Sequence, residues 1–183
     1  MSARQAAGLL LAEGGIARMQ ARRLLAAGLA GAGVPGAGGV LYDRTAVATL
    51  ALRPVLELED LTEACPHGLF VARIDRSRPV DVTTGWAALA EDLSTQPAMP
   101  SLTRALLGAR IAAYGPLPWV ATLCGHVVLG AEAVAVAAGK DHLQFTLREP
   151  GPWFGALRDR VLPTTRGGRP WVLWTPLLSG SPG

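Results

Sequence analysis

Residues 15–28 read Gly15-Ile16-Ala17-Arg18-Met19-Gln20-Ala21-Arg22-Arg23-Leu24-Leu25-Ala26-Ala27-Gly28, and this stretch decides how the first third of the chain is read. Ile16, Ala17, Ala21, Leu24 and Leu25 recur at the spacing of a buried helical stripe. Arg18, Gln20, Arg22 and Arg23 fall mostly off it. Gly28 stands where a helix ends in a left-handed residue. The spacing therefore predicts a helix over about 17–27 with a basic outer face. Upstream, Ser2 is a plausible cap for a helix to Leu11, with Ala6, Leu9 and Leu10 on one face, and Ala12-Glu13-Gly14-Gly15 reads as a turn. Downstream, Gly31 to Gly39 reads as a glycine-rich hairpin tip and Val40-Leu41-Tyr42 as its returning strand. Asp43 then caps a third helix, Thr45 to Leu52, with Val47, Leu50 and Ala51 inward. Pro54 ends that pattern.

Charge separates this segment from the rest. Residues 1–54 carry six Arg against Glu13 and Asp43. Residues 55–80 carry a net −2 and residues 81–183 a net +1. The basic excess in the N-terminal third suggests a polyanion partner for it. Lysine occurs once, at Lys140, and the other sixteen cations are Arg. That bias fits a GC-rich coding sequence, so the positions of the arginines matter more than their number.

Helix, turn, basic helix, glycine-rich hairpin, helix is the order of a small winged helix-turn-helix, and the segment resembles the MerR-like and excisionase-like DNA-binding domains. The resemblance covers about residues 3–53. It is carried by Gly15 to Gly28, where the family has a basic recognition helix closed by glycine. It is also carried by Gly39-Val40-Leu41-Tyr42-Asp43-Arg44 with Val47 and Leu50, where the family has its wing strand and following helix. Two departures are visible: a longer turn at Ala12–Gly15, and Ala17 where the family often caps with Ser or Thr. The resemblance implies that Arg18, Gln20, Arg22 and Arg23 face duplex DNA. Arg reads guanine bidentately or clamps phosphate, and Gln reads adenine. It also implies that Gly38, Gly39, Tyr42 and Arg44 form a wing near the sugar-phosphate backbone. The bland alternative is an ordinary solvated Arg face.

The 183 residues, half of them hydrophobic and 17% charged, exclude a disordered chain. Two cysteines exclude a disulfide scaffold. The most apolar stretch, Trp119 to Gly139, is interrupted by Gly125, His126, Gly130 and Glu132 and reads as strands, not as a membrane span. The short Leu9-Leu10-Leu11 run before Glu13 is no secretory leader. The expected location is cytoplasmic and nucleoid-associated.

Residues 55–66 read as a connector, with acidic Leu56–Leu61 as a short strand or link. From 67 on, the pattern is α+β. We expect a strand over His67–Asp75, and helices from Trp86 to Leu93 and from Leu102 to Tyr114. The latter should bury Leu102, Leu106, Ala109 and Ala113. Strands follow at Trp119–Cys124, His126–Leu129 and Ala131–Ala137, with bends at Gly125 and Gly130. A return strand spans 142–148, a short helix 153–158 and a last strand 170–175. A disordered tail covers 179–183. No family is recognised beyond residue 53.

Three constellations could carry other chemistry. Cys65, His67, Cys124 and His126 form two Cys-x-His pairs that would suit zinc if they converged, although buried cysteine is the commoner role. Trp153, Trp171 and Trp174 beside Arg158, Arg160, Arg166 and Arg169 could stack on single-stranded nucleic acid. However, Trp171 and Trp174 lie on opposite faces of a strand, which points one of them to the core. Ser94, Ser101, Glu132, Asp141 and His142 sit in no nucleophile elbow, metal-hydrolase helix or phosphate loop, so no enzyme and no cofactor is expected. The sequence thus predicts an α+β protein: a winged helix-turn-helix over 1–54, then a small mixed-sheet domain over 67–178. The expected function is sequence-specific double-stranded DNA binding by a homodimeric transcriptional regulator whose effector, a small molecule or protein, is unknown. The alternatives are a protein-interaction or ligand-binding module, or a DNA-bending accessory protein of a mobile element.

Overall fold

The computed structural model describes residues 1–75, 77–163 and 169–176. The chain divides into two compact units, one of Met1–Pro54 with Arg76–Gly85, the other of Val55–Asp75 with Trp86–Gly183. Among the described residues it is an α+β protein, with a two-stranded hairpin in the first unit and a mixed six-stranded sheet in the second.

In the first unit, α1 (Ala3–Gly14), α2 (Arg18–Ala26) and α3 (Arg44–Ala51) enclose a small core. Ala6, Leu10, Ala21, Leu24, Leu25, Val47 and Leu50 are all buried in it. Ser2 and Gln5 close a capping box on α1, which satisfies amides a helix start leaves open. α1 runs three residues beyond its expected end. Gly14 is therefore helical, and its reason lies in packing: a Cβ there would lie 2.7 Å from the Ala51 carbonyl oxygen of α3. The link to α2 is only Gly15-Ile16-Ala17. Strands β1 (Val34–Gly36) and β2 (Gly39–Leu41) pair antiparallel. Met1 and Tyr42 exchange backbone hydrogen bonds of 2.6 and 2.8 Å beside the hairpin. Asp43 Oδ1 accepts from the Ala46 amide at 2.8 Å and caps α3. A 3-10 turn, Val82–Thr84, belongs to this unit and donates its Val82 N–H to the Ala27 carbonyl, 2.9 Å. Asp81 caps that turn rather than the following helix, accepting from the amide and hydroxyl of Thr83.

In the second unit, α4 (Leu58–Ala64) occupies the acidic stretch expected to be a strand or link. Leu56, Leu61 and Cys65 are buried in one layer with Leu69, Val71, Val120, Val127, Leu157 and Leu162. β3 (Leu69–Arg73) follows. Next come α5 (Trp86–Leu93), β4 (Thr95–Pro97), α6 (Ser101–Tyr114), β5 (Leu117–Leu123), β6 (His126–Ala138), β7 (His142–Arg148), α7 (Phe154–Leu157) and β8 (Trp171–Trp174). The strand order is β4-β7-β6-β5-β3-β8, parallel only between β3 and β5. β3 is buried on both faces, as its unbroken run Leu-Phe-Val-Ala requires. Leu69 and Val71 face the layer just described, whereas Phe70 lies among Trp119, Phe145 and Trp171 at ring distances of 4.8 to 6.4 Å.

Several expectations are corrected here. β6 runs straight through Gly130, whose carbonyl accepts the Trp86 indole N–H at 2.8 Å; its irregularities lie instead between Val127 and Leu129 and between Ala133 and Ala135. β4, expected only as a break, pairs with β7, and Thr95 donates to the Gln144 side chain at 2.7 Å. Pro97 is tolerated because β4 is an edge strand. α6 has the expected span but the opposite phase. Leu107 is buried, while Leu102 and Leu106 are 71% and 54% exposed. With apolar residues almost all round this helix, periodicity has two equal solutions, and the sheet takes the one through Leu107. The expected tail at 179–183 and Arg166 lie outside the described residues.

Candidate nucleic-acid interface

Successive residues on a helix turn by about 100°, which fixes what α2 shows to solvent. Ala21, Leu24 and Leu25 are buried. The opposite face centres on Met19, Arg22, Arg23 and Ala26, with Arg18 and Gln20 at its two edges. Arg18, Met19, Gln20 and Arg22 are exposed and Arg23 is half-buried. No acidic residue lies on this helix. Met19 is 76% exposed at the centre of the face; it was not among the expected contacts, although placing the residues round the helix axis would have found it. Ala17 at the N-cap makes no side-chain hydrogen bond, so side chains do not cap the first-turn amides of α2.

The hairpin residues β1 and β2 are exposed throughout. Gly38 has open space where a Cβ would stand. Gly39 follows it with φ of 114°. Tyr42 is half-buried, its ring against Gly33, and Arg44 is exposed in the first turn of α3. Gly38, Gly39, Tyr42 and Arg44 thus lie on one exposed segment leading into α3, while Arg18, Gln20, Arg22 and Arg23 lie on α2.

The Cys-x-His pairs do not assemble. Among the described residues no three His, Cys, Asp or Glu side chains gather to hold a metal ion. Cys65 ends α4 and is fully buried, with burial pushing its thiol up to about 12. His67 stacks on Tyr114 at 4.3 Å, Cys124 lies in the β5–β6 turn, and His126 pairs opposite Leu123 inside the sheet. Cys65 and His67 sit on a helix end and a turn, not on one strand face. Trp171 stacks on Phe70, and Trp174 packs on the other face of β8 against the Leu69 layer. Trp153 donates to Glu132 at 3.3 Å. The Arg169 guanidinium lies 5.7 Å from the Trp171 ring centroid, and the three rings pack within the second unit.

No family model, curated protein or solved structure matches this chain. Among the described residues no helix is long and apolar enough to cross a membrane.

Proposed function

We propose that the first unit is a winged helix-turn-helix module that binds double-stranded DNA, with α2 as recognition helix and the β1–β2 hairpin as wing. The observation that carries this reading is the outer face of α2, where Arg18, Gln20, Arg22 and half-buried Arg23 surround one exposed apolar side chain. A helix of this width enters the major groove, where Arg and Gln read base edges and Met19 can meet a thymine methyl. Uncapped amides at the start of α2 and the open backbone at Gly38 and Gly39 suit phosphate oxygens. The biological role that follows is transcriptional regulation, with the second unit as assembly or effector domain.

One short recognition helix gives modest affinity, and pairing two half-sites multiplies it. The outward face of α6 supports a second copy as the partner. Leu102, Leu106, Ala109 and Ala113 are exposed at spacings of four, three and four, the seam of a two-helix coil. Run antiparallel about the centre of the helix, Leu102 meets the partner's Ala113 and Leu106 the partner's Ala109, large against small in each layer.

The test is fluorescence anisotropy of the full chain with labelled duplexes at rising salt. Neutralised phosphates release counterions, so log affinity should fall with log salt at a slope of roughly −0.9 per contact. Binding without that slope would favour a docked protein on Met19 instead, and no binding at low salt would remove the DNA reading.

A further inference from the structure

The second unit contains a cavity of about 120 Å³ between the Cys65–His67 turn and the C-terminal end of α6. Its walls are Cys65, Pro66, His67, Arg110, Tyr114 and the turn from Gly115 to Pro118. Among the described residues no carboxylate lines it. Arg110 is half-buried, and its Nε is buried without a hydrogen-bond acceptor. Among the described residues no acidic side chain forms an ion pair with it. A guanidinium taken partly out of water without an anion is costly.

The fold nonetheless holds it there. Gly68 has φ of 104°, and a Cβ on it would lie 2.8 Å from an Arg110 terminal nitrogen and 2.6 Å from the Trp174 carbonyl oxygen. The guanidinium therefore rests on backbone that no side chain could share. Cys65 supplies no counter-charge, because burial keeps its thiol protonated, with a pKa of about 12.

We propose that this cavity binds a small organic monocarboxylate, its two oxygens on Arg110 and its apolar body among Pro66, Pro116 and Leu117. Arg presents paired donors that match a carboxylate. At about 120 Å³ it is smaller than the roughly 150 Å³ cavity that accepts benzene, so it takes a carboxylate with a few carbons, or one ring left partly in solvent. Phosphate fits less well: Pro66, Pro116 and Pro118 bring no backbone N–H, which leaves its further oxygens few donors beyond the side chains of His67 and Tyr114. The stacked rings of His67 and Tyr114 flank the site and suit an aromatic body. This proposal stands apart from DNA binding, and either can fail alone.

The experiment is isothermal titration of the full chain with benzoate, benzamide and inorganic phosphate, followed by amide and arginine Nε–H resonances. Saturable benzoate binding is expected, with shifts confined to Gly68, Arg110, Tyr114 and their neighbours. Benzamide, equal in shape and uncharged, should not bind. Arg110→Gln should weaken benzoate at least about tenfold, and Arg110→Lys should recover only part of that, lacking the planar fork. The benzamide control needs no variant, so a poorly folded variant leaves the test intact. Benzamide binding as well as benzoate, phosphate binding more tightly, or no saturation by millimolar benzoate would each overturn the assignment.

Discussion

On α2 the side chains left outside include Arg18, Met19, Gln20 and Arg22; on α6 they include Leu102, Ala105, Leu106, Ala109 and Ala113. Both helices bury one stripe, yet only the first announces which. In α2 every off-stripe position but Met19 and Ala26 is Arg or Gln, and polar side chains lose too much hydration to turn inward. They fix the phase. In α6 only Arg104 and Arg110 break the small and apolar run after Thr103, and both are half-buried. Either phase buries similar area, and the neighbouring sheet decides. A helix whose outer face is polar is finished by water, whereas the leucines left outside on α6 are what the proposed second copy would cover.

The largest effect expected from this contrast concerns stability. Leu107→Ala should cost about 2–5 kcal/mol, as large-to-small changes at filled core sites do. Leu106→Ala, one residue away and exposed, should stay within about 0.5 kcal/mol for the monomer. Urea unfolding at low protein concentration measures both. If Leu106→Ala proves the more damaging, the phase assigned to α6 is wrong, and the face proposed for a second copy goes with it.

Duplex affinity should come next. Arg18→Ala and Arg22→Ala should each cost about 1–3 kcal/mol of binding if they read bases, or reduce the salt slope by about one if they clamp phosphate. Because both side chains are exposed, thermal unfolding should hardly move. Unchanged affinity in the double variant would turn the face of α2 into an ordinary solvated surface. Smaller again is the effect on assembly. Leu102→Glu with Leu106→Glu should place like charges along the α6 seam and raise the dimer dissociation constant at least about tenfold, since unpaired charges are strongly disfavoured in such a seam. Sedimentation velocity across a concentration series reads this. A wild-type chain that stays monomeric at high concentration would leave the α6 face without its proposed partner.

How much was legible follows the same logic. The capping residues Ser2 and Asp43, the inward Val47 and Leu50, and the hairpin between α2 and α3 could be read because short-range chemistry specifies them. The α4 helix could not: Leu56 to Leu61 alternates like a strand, and only burial of Leu56, Leu61 and Cys65 against β3 and β5 selects a helix. β4 was hidden because its strength comes from Gln144 and Ser94, brought together across about fifty positions of sequence. The role proposed for Arg110 was equally illegible. It rests on Gly68 beneath it and on the absence, among the described residues, of an acid paired with it, and neither is a local property of α6.

The smallest expected effect lies back on the α2 side. Asp81 caps the 3-10 turn whose Val82 amide bonds the Ala27 carbonyl just past the end of α2. Hydrogen bonds from the Thr83 hydroxyl and amide hold its carboxyl below the ordinary value of 3.8. Because the folded pKa is depressed, the stability it contributes is present above the unfolded pKa and is lost as pH falls through the folded one. The loss therefore begins below about pH 4 and not near neutrality. Its size is limited, for Asp81 is fully exposed and water screens the carboxylate. Carbon-detected titration of the Asp81 carboxyl should show a midpoint below the ordinary aspartate value of 3.8, and the Thr83 amide should shift with the same midpoint. Asp81→Asn should remove that acid transition while leaving the α2 amide resonances in place. If the α2 resonances collapse instead, the turn at 82–84 holds the helix itself rather than only covering its end, and the basic face owes its presentation to a residue on a distant stretch of chain.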